Sequence, residues 1–154
     1  MTPAVRAAEA AGVRFHLHRY EHDPRAHSYG LEAAQRLGQD PARVFKTLVA
    51  GLPPARFVVA VVPVARELDL KALAAACGAK KAALAAADEA ERVTGYVTGG
   101  ISPLGQKRAL TTVIDVSADA FETVFVSAGR RGLEIELAPA DLADVTGGCY
   151  AAIA

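Results

Sequence analysis

Two apolar segments, residues 44–50 and 57–62, constrain the fold most, because only a short turn containing Pro53-Pro54 separates them. Each segment has the composition of a strand, and the link between them is too short to hold a helix. Strands joined in this way pair as an antiparallel hairpin. Further strand-like segments lie between residues 112 and 137, again with short links. We predict antiparallel pairing in both regions, which argues against a regular doubly wound sheet.

Helical segments alternate with these strands. Thr2-Pro3 predicts a capped first helix that ends at Gly12, and Asp69 predicts the start of a helix that Gly78 ends. The other predicted elements are a half-buried strand over 15–20 and helices over 29–38, within 82–95 and from residue 139 onward. Six or seven strands with four to six helices, and no composition break or internal repeat, predict a single α/β domain over residues 1–154.

The composition argues against several functional classes. The chain has 17 basic and 17 acidic residues, and a net charge of zero argues against a general nucleic-acid coat, whose affinity comes from broad phosphate neutralisation. Local basic patches remain open at Lys80-Lys81, Lys107-Arg108 and Arg130-Arg131. No apolar stretch has the length of a membrane span, and the N-terminus lacks a signal-peptide pattern. The two cysteines, Cys77 and Cys149, lie far apart, which predicts reduced thiols in a cytoplasmic protein.

The four histidines lie in one early segment, at His16, His18, His22 and His27. The first two would project from one face of a strand, an arrangement that can bind a metal. Few other ligands accompany them, so we expect surface and loop histidines and no metal site. His22 stays a candidate site residue because it follows the end of the strand. No Gly-x-Ser-x-Gly elbow or cysteine–histidine pair indicates a hydrolase nucleophile, and we expect no cofactor.

Lys46 lies within an apolar strand, on the same face as Val44 and Leu48. Burying a lysine is costly unless its ammonium group is paired, so such a residue points to an acid, a ligand or solvent. The pattern alone leaves two alternatives open, a lysine that extends from an edge strand into solvent and a functional lysine.

Residues 98–108, TGGISPLGQKR, match a nucleotide-binding P-loop only in part. Gln106 precedes Lys107, Arg108 stands where a hydroxyl is required, and Pro103 removes one backbone amide. We therefore exclude a P-loop. Two alternatives remain, a plain turn and a backbone-amide site at the Gly-Gly pair for a developing negative charge.

Several sequence blocks, in order along nearly the whole chain, resemble the YbaK-type aminoacyl-tRNA deacylases, which are related to the editing domain of bacterial prolyl-tRNA synthetases. The blocks are MTPAV at the start, YEHDP at 20–24, VFKTL at 44–48, LDLK at 68–71, GAKK at 78–81, TGY at 94–96, GGISPLGQK at 99–107 and VSAGRRGLEIEL at 126–137.

The resemblance implies a curved, mixed, largely antiparallel β-sheet that closes toward a barrel and is surrounded by helices. It implies deacylation of cysteine wrongly esterified to tRNA(Pro), by attack of the substrate thiol on its own ester, a reaction that can be classed with the hydrolases or the lyases. The implied partners are the 3′ end of mischarged tRNA(Pro) and prolyl-tRNA synthetase, with no membrane and no DNA.

The resemblance also implies the roles of individual residues. Lys46 would bind the terminal adenosine or its phosphate, or stabilise charge at the ester, and the amides of Gly99 and Gly100 would face the ester carbonyl. The expected substrate-binding residues are Tyr20, His22, Ile101, Ser127 and Glu134. Glu134 stands where the family usually has aspartate. Two alternatives stay open: a deacylase for another mischarged tRNA such as Ala-tRNA(Pro), and a module that binds tRNA ends or a synthetase without catalysis.

Overall fold

The computed structural model describes residues 1–154, which form five α-helices, eight strands and a short 3-10 helix at Val116–Ala120. The helices are α1 (Pro3–Ala11), α2 (Tyr29–Arg36), α3 (Leu70–Ala76), α4 (Ala87–Thr94) and α5 (Pro139–Thr146). The strands are β1 (Phe15–Arg19), β2 (Phe45–Leu52), β3 (Arg56–Pro63), β4 (Ala83–Leu84), β5 (Thr111–Asp115), β6 (Val124–Arg130), β7 (Leu133–Leu137) and β8 (Cys149–Ala151). None of the helices combines the length and apolar character that crossing a bilayer requires.

Side chains at the helix ends explain where the predicted helices begin and stop. The Thr2 hydroxyl accepts a hydrogen bond from the Val5 amide at 3.2 Å, and Gly12 ends α1 in the left-handed conformation, with φ 69°. The Asp69 carboxylate accepts from the Ala72 amide at 2.9 Å and so begins α3. These groups satisfy amides that have no partner within their own helix. The sequence prediction of both helices is confirmed.

The strands form two sheets. Three strands pair in the order β1-β7-β6, all antiparallel, and five pair in the order β4-β2-β3-β5-β8. Antiparallel pairing of β2 with β3 runs from Phe45 opposite Pro63 to Leu52 opposite Arg56, as the short turn predicts. The predicted α/β class with a mixed, largely antiparallel arrangement is confirmed.

The prediction for residues 112–137 is wrong in part. β6 and β7 pair antiparallel, but β5 pairs with neither of them and instead lies parallel to β3 and to β8. The 3-10 helix after β5 redirects the chain into the other sheet, so the short link joins two sheets rather than two neighbouring strands. β5 reaches its place beside β3 after a long connection that includes α3 and α4, as parallel strands require.

The two sheets meet without closing into a barrel, so the expected closure is not confirmed. Strand pairing between them is limited to a single bridge between Val44 and Phe125, where the Phe125 amide donates to the Arg43 carbonyl at 3.1 Å. Further along the same edge, β4 pairs with β2 at Ala50 and Gly51. Between these two pairings, residues 45–49 have no strand neighbour on that side. We call this segment the open edge of β2.

Both faces of β3 are buried, because the five-stranded sheet has a core on each side. Val59 and Val61 belong to the larger core, which also contains residues of α1, β6 and β7. Val58 and Ala60 belong to a second core with Leu73 of α3. This strand is therefore held from both sides, and it fixes the position of its neighbour β2.

Candidate active site

A cavity of about 440 Å³ lies at the open edge of β2. All five residues of that edge line it, together with residues of α2, α4, β6 and β7. Most of its lining is apolar, with a few convergent polar groups, which is the usual character of a small-molecule site. Its main polar side chains are those of Tyr20, Tyr29, Lys46, Thr47, Ser127 and Glu134.

The structure brings together six of the eight residues that the sequence predicted. The six are Tyr20, Lys46, Gly99, Ile101, Ser127 and Glu134. Gly100 and His22 do not line the cavity. The roles of these residues stay predictions, but their common location agrees with a single site.

Lys46 is half-buried on β2, with its side chain 26% exposed. Its ammonium nitrogen lies 3.7 Å from a carboxylate oxygen of Glu67, whose own side chain is 96% exposed. An ion pair with so exposed a partner contributes little free energy. The ammonium group can therefore exchange Glu67 for a ligand in the cavity at small cost.

Glu134 is a buried acid with no hydrogen-bond partner in the chain. It lies on β7, opposite His18 of β1 and Ser127 of β6, and is only 6% exposed. Burial raises the pKa of its carboxyl group to about 8, so the group is largely neutral at pH 7. Burial, and next the charge of Glu134, raise the pKa of the neighbouring Tyr20 to about 12. This end of the cavity therefore holds a neutral carboxylic acid and a neutral phenol.

Thr47 is a polar cavity residue that the sequence analysis did not select. Its hydroxyl oxygen is buried and has no hydrogen-bond partner. Such a group is costly unless a ligand completes it. The sequence carried no signal for this role, because a threonine in a strand is ordinary.

The Gly-Gly pair forms a turn rather than a double amide site. The Gly100 amide donates to the Val97 carbonyl at 2.9 Å, and Gly99 has φ 89° as the third residue of that turn. This is the position in a type II turn that favours glycine. The Gly100 amide is therefore already engaged, whereas the amides of Gly99 and Ile101 donate to no group of the chain.

A second reason for the two glycines is the hairpin between β6 and β7, which packs directly on them. A Cβ atom at Gly99 would lie 2.8 Å from Nε of Arg131 and 2.8 Å from Cδ1 of Tyr29. A Cβ atom at Gly100 would lie 2.6 Å from Cα of Arg130. Only glycine allows the turn and the hairpin to approach this closely.

His22 lies behind the cavity wall. Its Nδ1 atom is 2.7 Å from a carboxylate oxygen of Glu32, and its ring centroid is 5.7 Å from that of Tyr29, which does line the cavity. His22 therefore supports Tyr29 in this structure. Another of the histidines, His18, pairs with Glu136 at 2.8 Å and does not line the cavity.

Residues 23–145 match the aminoacyl-tRNA editing domain family. The chain belongs to this family. The match lies within the predicted domain of residues 1–154, whose outer limits stay a prediction. The expected enzyme class, an aminoacyl-tRNA deacylase, is confirmed by the family and by the relatives described next.

Relatives of this editing-family chain are known from two bacteria. An Enterococcus faecalis protein with the provisional name Cys-tRNA(Pro)/Cys-tRNA(Cys) deacylase EbsC is 42% identical over 127 residues, which is 82% of this chain and 77% of the relative. YwhH of Bacillus subtilis, an uncharacterized protein, is 29% identical over 113 residues, which is 73% of this chain and 71% of the relative.

Two solved structures share the fold over nearly their full length. The hypothetical protein APE2540 has a TM-score of 0.88 at 25% identity, covering 99% of each chain. A crystal structure described provisionally as a trans-editing enzyme for prolyl tRNA synthetase has a TM-score of 0.81 at 22% identity, covering 99% of this chain and 98% of the other. These likenesses extend the family assignment to the fold.

Proposed function

We propose that this editing-family enzyme removes cysteine from mischarged tRNA(Pro). The observation that carries the proposal is the common cavity of Lys46, Gly99, Ser127 and Glu134, in a chain whose Enterococcus relative is named for cysteinyl-tRNA substrates. The small, mostly apolar cavity suits a short side chain. The aminoacyl ester would lie beside the open edge of β2.

The chemistry needs no nucleophile from the protein. The substrate's thiol, as thiolate, attacks its own ester carbonyl carbon, and an oxyanion forms on the carbonyl oxygen. Collapse of this intermediate breaks the bond to the ribose oxygen, which takes up a proton and leaves with the tRNA, and the amino acid departs as a cyclic thiolactone. The lining of the cavity contains no cysteine, so neither Cys77 nor Cys149 takes part.

Two contributions of the protein suffice for this reaction. The unpaired Gly99 amide and the Lys46 ammonium group would stabilise the oxyanion. The cavity walls would hold the thiol close to the carbonyl carbon. At the ideal limit, such positioning lowers a barrier by on the order of 7–11 kcal/mol.

The partner proposals follow from the same substrate. The enzyme would bind the 3′ end of tRNA(Pro) that carries the wrong amino acid, and it would act in the cytoplasm in association with prolyl-tRNA synthetase. A net charge of zero agrees with a protein that contacts only a short stretch of RNA. Such a synthetase makes this error because a small difference in size discriminates poorly between amino acids.

The decisive assay compares deacylation of Cys-tRNA(Pro), Ala-tRNA(Pro) and Cys-tRNA(Cys) by the wild type and Lys46→Ala under single-turnover conditions. We expect cysteine to be released from tRNA(Pro), and we expect Lys46→Ala to slow that release about 100-fold or more, because an oxyanion-stabilising group is lost. Lys71→Ala serves as the control, since Lys71 is exposed on α3 and outside the cavity.

Three outcomes would contradict the proposal. Undiminished activity of Lys46→Ala would remove this lysine from the mechanism. Preferential release of alanine would replace the leading substrate by Ala-tRNA(Pro), an alternative for which Glu134, in place of the family's usual aspartate, leaves room. Efficient cleavage of Ser-tRNA(Pro), whose hydroxyl is a poor nucleophile, would point to an activated water in place of the substrate thiol.

A further inference from the structure

Arg131 lies against two residues of the cavity wall in a fixed orientation. Its guanidinium carbon lies 4.9 Å from the centre of the Tyr29 ring, and its Nε atom donates to the Thr98 carbonyl at 2.9 Å. Tyr29 and Thr98 both line the cavity. A cation over an aromatic face and one hydrogen bond hold the planar group in place although the residue is exposed.

The same contacts leave the outer part of the guanidinium group available. Only Nε has a hydrogen-bond partner in the chain, and the two terminal NH2 groups have none. A guanidinium fork of this kind binds phosphate oxygens in pairs. Because the fork is already oriented, binding an anion costs less side-chain entropy than it would for a free arginine.

The surroundings of Arg131 indicate that its free NH2 groups bind an anion of the substrate and not a carboxylate of the protein. Glu91 is an acid that interacts electrostatically with Arg131. Its carboxylate already accepts two hydrogen bonds from Thr98, at 2.7 Å from the amide and 2.9 Å from the hydroxyl. It forms no ion pair with Arg131 within 4.0 Å. Arg130, the next residue, is exposed and adds a second positive charge at the hairpin tip.

The position of Arg131 and Tyr29 relative to the ester indicates which anion of the substrate binds here. Gly99, whose amide is the proposed oxyanion donor, lies so close to Arg131 and Tyr29 that an added Cβ atom would be 2.8 Å from each. An RNA 3′ end whose terminal ester lies beside Gly99 brings its first phosphates within reach of this exposed guanidinium group. The anion is therefore a phosphodiester of the single-stranded RNA end.

We propose that Arg131, held by Tyr29 and Thr98, is the docking residue for a phosphodiester next to the 3′-terminal nucleotide of the substrate RNA. This inference rests on the proposed function for its substrate. Arg131 contributes affinity and places the ester over Gly99, and it takes no part in bond breaking. The contact is independent of base identity, because a phosphate carries no sequence information.

The test measures binding of a short single-stranded RNA that matches a tRNA 3′ end, at several salt concentrations. Arg131→Ala should weaken binding about 10-fold and lower the salt slope by about 0.7 to 1, as loss of one phosphate contact does. The matched control is Arg130→Ala, which removes an equal charge from the adjacent residue but no fixed guanidinium group. It should change binding less than 3-fold, an effect of general charge alone.

A neutral methylphosphonate in place of each phosphodiester in turn identifies the contact. At one linkage near the 3′ end, the substitution should weaken binding to the wild type and leave binding to Arg131→Ala unchanged. Arg131→Lys should fall between the wild type and the alanine variant, because it keeps the charge and loses the planar fork. Equal effects of Arg130→Ala and Arg131→Ala, or additive effects of Arg131→Ala with every methylphosphonate, would overturn the proposal.

A second measurement separates this proposal from the proposed function. Deacylation of Cys-tRNA(Pro) should show a raised KM for Arg131→Ala, whereas cleavage of cysteine methyl ester, which has no phosphate, should be unchanged. Equal loss on both esters would contradict a docking role. If the wild type cleaves neither ester, the proposed function fails, while the RNA-binding comparison still tests Arg131.

Discussion

At the scale of single residues, Glu134 makes the stability of the fold depend on pH between 4.5 and about 8. Its carboxyl has a pKa of about 8 in the folded protein against an ordinary value of 4.5, so the folded state holds a proton that the unfolded state releases. Stability therefore falls as pH rises from 4.5 to about 8 and is flat above that range, with a slope of at most about 1.4 kcal/mol per pH unit. We expect Glu134→Gln, which stays neutral, to lose this dependence.

Urea unfolding at intervals between pH 5 and 9 measures the effect directly, as the difference between the wild type and Glu134→Gln across the titration range. The difference should grow in favour of the variant up to about pH 8. Parallel stability curves for the two proteins would contradict this prediction, because they would mean that another group stabilises the charged carboxylate in the folded protein.

The sequence predicted some cavity residues better than others. Lys46 was identifiable because a charged side chain in an apolar strand is uncommon, and the family resemblance then supplied a role. Thr47 and Tyr29 were missed, since a strand threonine and a tyrosine at the start of a helix are both ordinary. What selects them is burial without a partner in the first case and contact with Arg131 in the second, and neither property is local to the sequence.

At the scale of elements, the turn at the Gly-Gly pair and the hairpin between β6 and β7 form one packed unit. Gly99→Ala would introduce strain at a φ of 89° and also a clash with Arg131 and Tyr29. Gly12→Ala is the matched control, because its φ is 69° and an added Cβ would meet nothing within 4 Å. We expect a loss of about 1 kcal/mol for Gly12→Ala and about 2–3 kcal/mol for Gly99→Ala.

Denaturant unfolding of the two variants gives these losses, and the RNA affinity of Gly99→Ala at low temperature reports whether Arg131 has moved. Gly12→Ala should bind RNA as the wild type does. Equal destabilisation by the two substitutions would mean that the hairpin can move away from the turn without loss of stability, which would contradict their close packing.

Local patterns predicted the long elements and missed the short ones. The hairpin of β2 and β3 followed from two apolar runs and a turn, both of which are sequence-local. β4 and β8 have two and three residues, too few to show any periodicity, and they exist because a neighbouring strand offers an edge. The parallel place of β5 depends on a partner about fifty residues away, which short links cannot reveal.

At the scale of the whole molecule, Asp115 joins the sheet to the last residues of the chain. Its carboxylate accepts from the amides of Ile153 and Ala154 at 2.9 and 3.1 Å, and from Arg66 at 3.3 Å. Burial alone would raise its pKa, but these bonds and those from Ser117 together lower it. Its contribution to stability is therefore present near neutral pH and is lost as pH falls through the lowered pKa.

We expect Asp115→Ala to lower the free energy of unfolding by about 3 kcal/mol, because several buried amides lose their acceptor. Thermal and urea unfolding at pH 7 measure the loss. Asp119→Ala, at an exposed acid of the adjacent 3-10 helix, should be nearly neutral. Since Asp115 is outside the cavity, deacylation per folded molecule should not change; a selective loss of activity at full stability would contradict this assignment.

The arrangement of the two sheets is the part of the fold that the sequence could not predict. Whether the strands close into a barrel depends on how β6 and β4 share one side of β2, and both contacts are distant in sequence. The family resemblance led to an expectation of closure, whereas the single bridge at Val44 leaves the sheets open.

That incomplete joining has a consequence for how such an enzyme could arise or be redesigned. Had β6 continued to pair with β2 beyond Val44, the added strand would close the open edge of β2 and the cavity beside it. The short gap in strand pairing is therefore what leaves space for the cavity. Lengthening the pairing between β2 and β6 would make the protein more rigid and less active. Widening the gap would admit substrates with bulkier amino acids without changing the groups that perform the reaction.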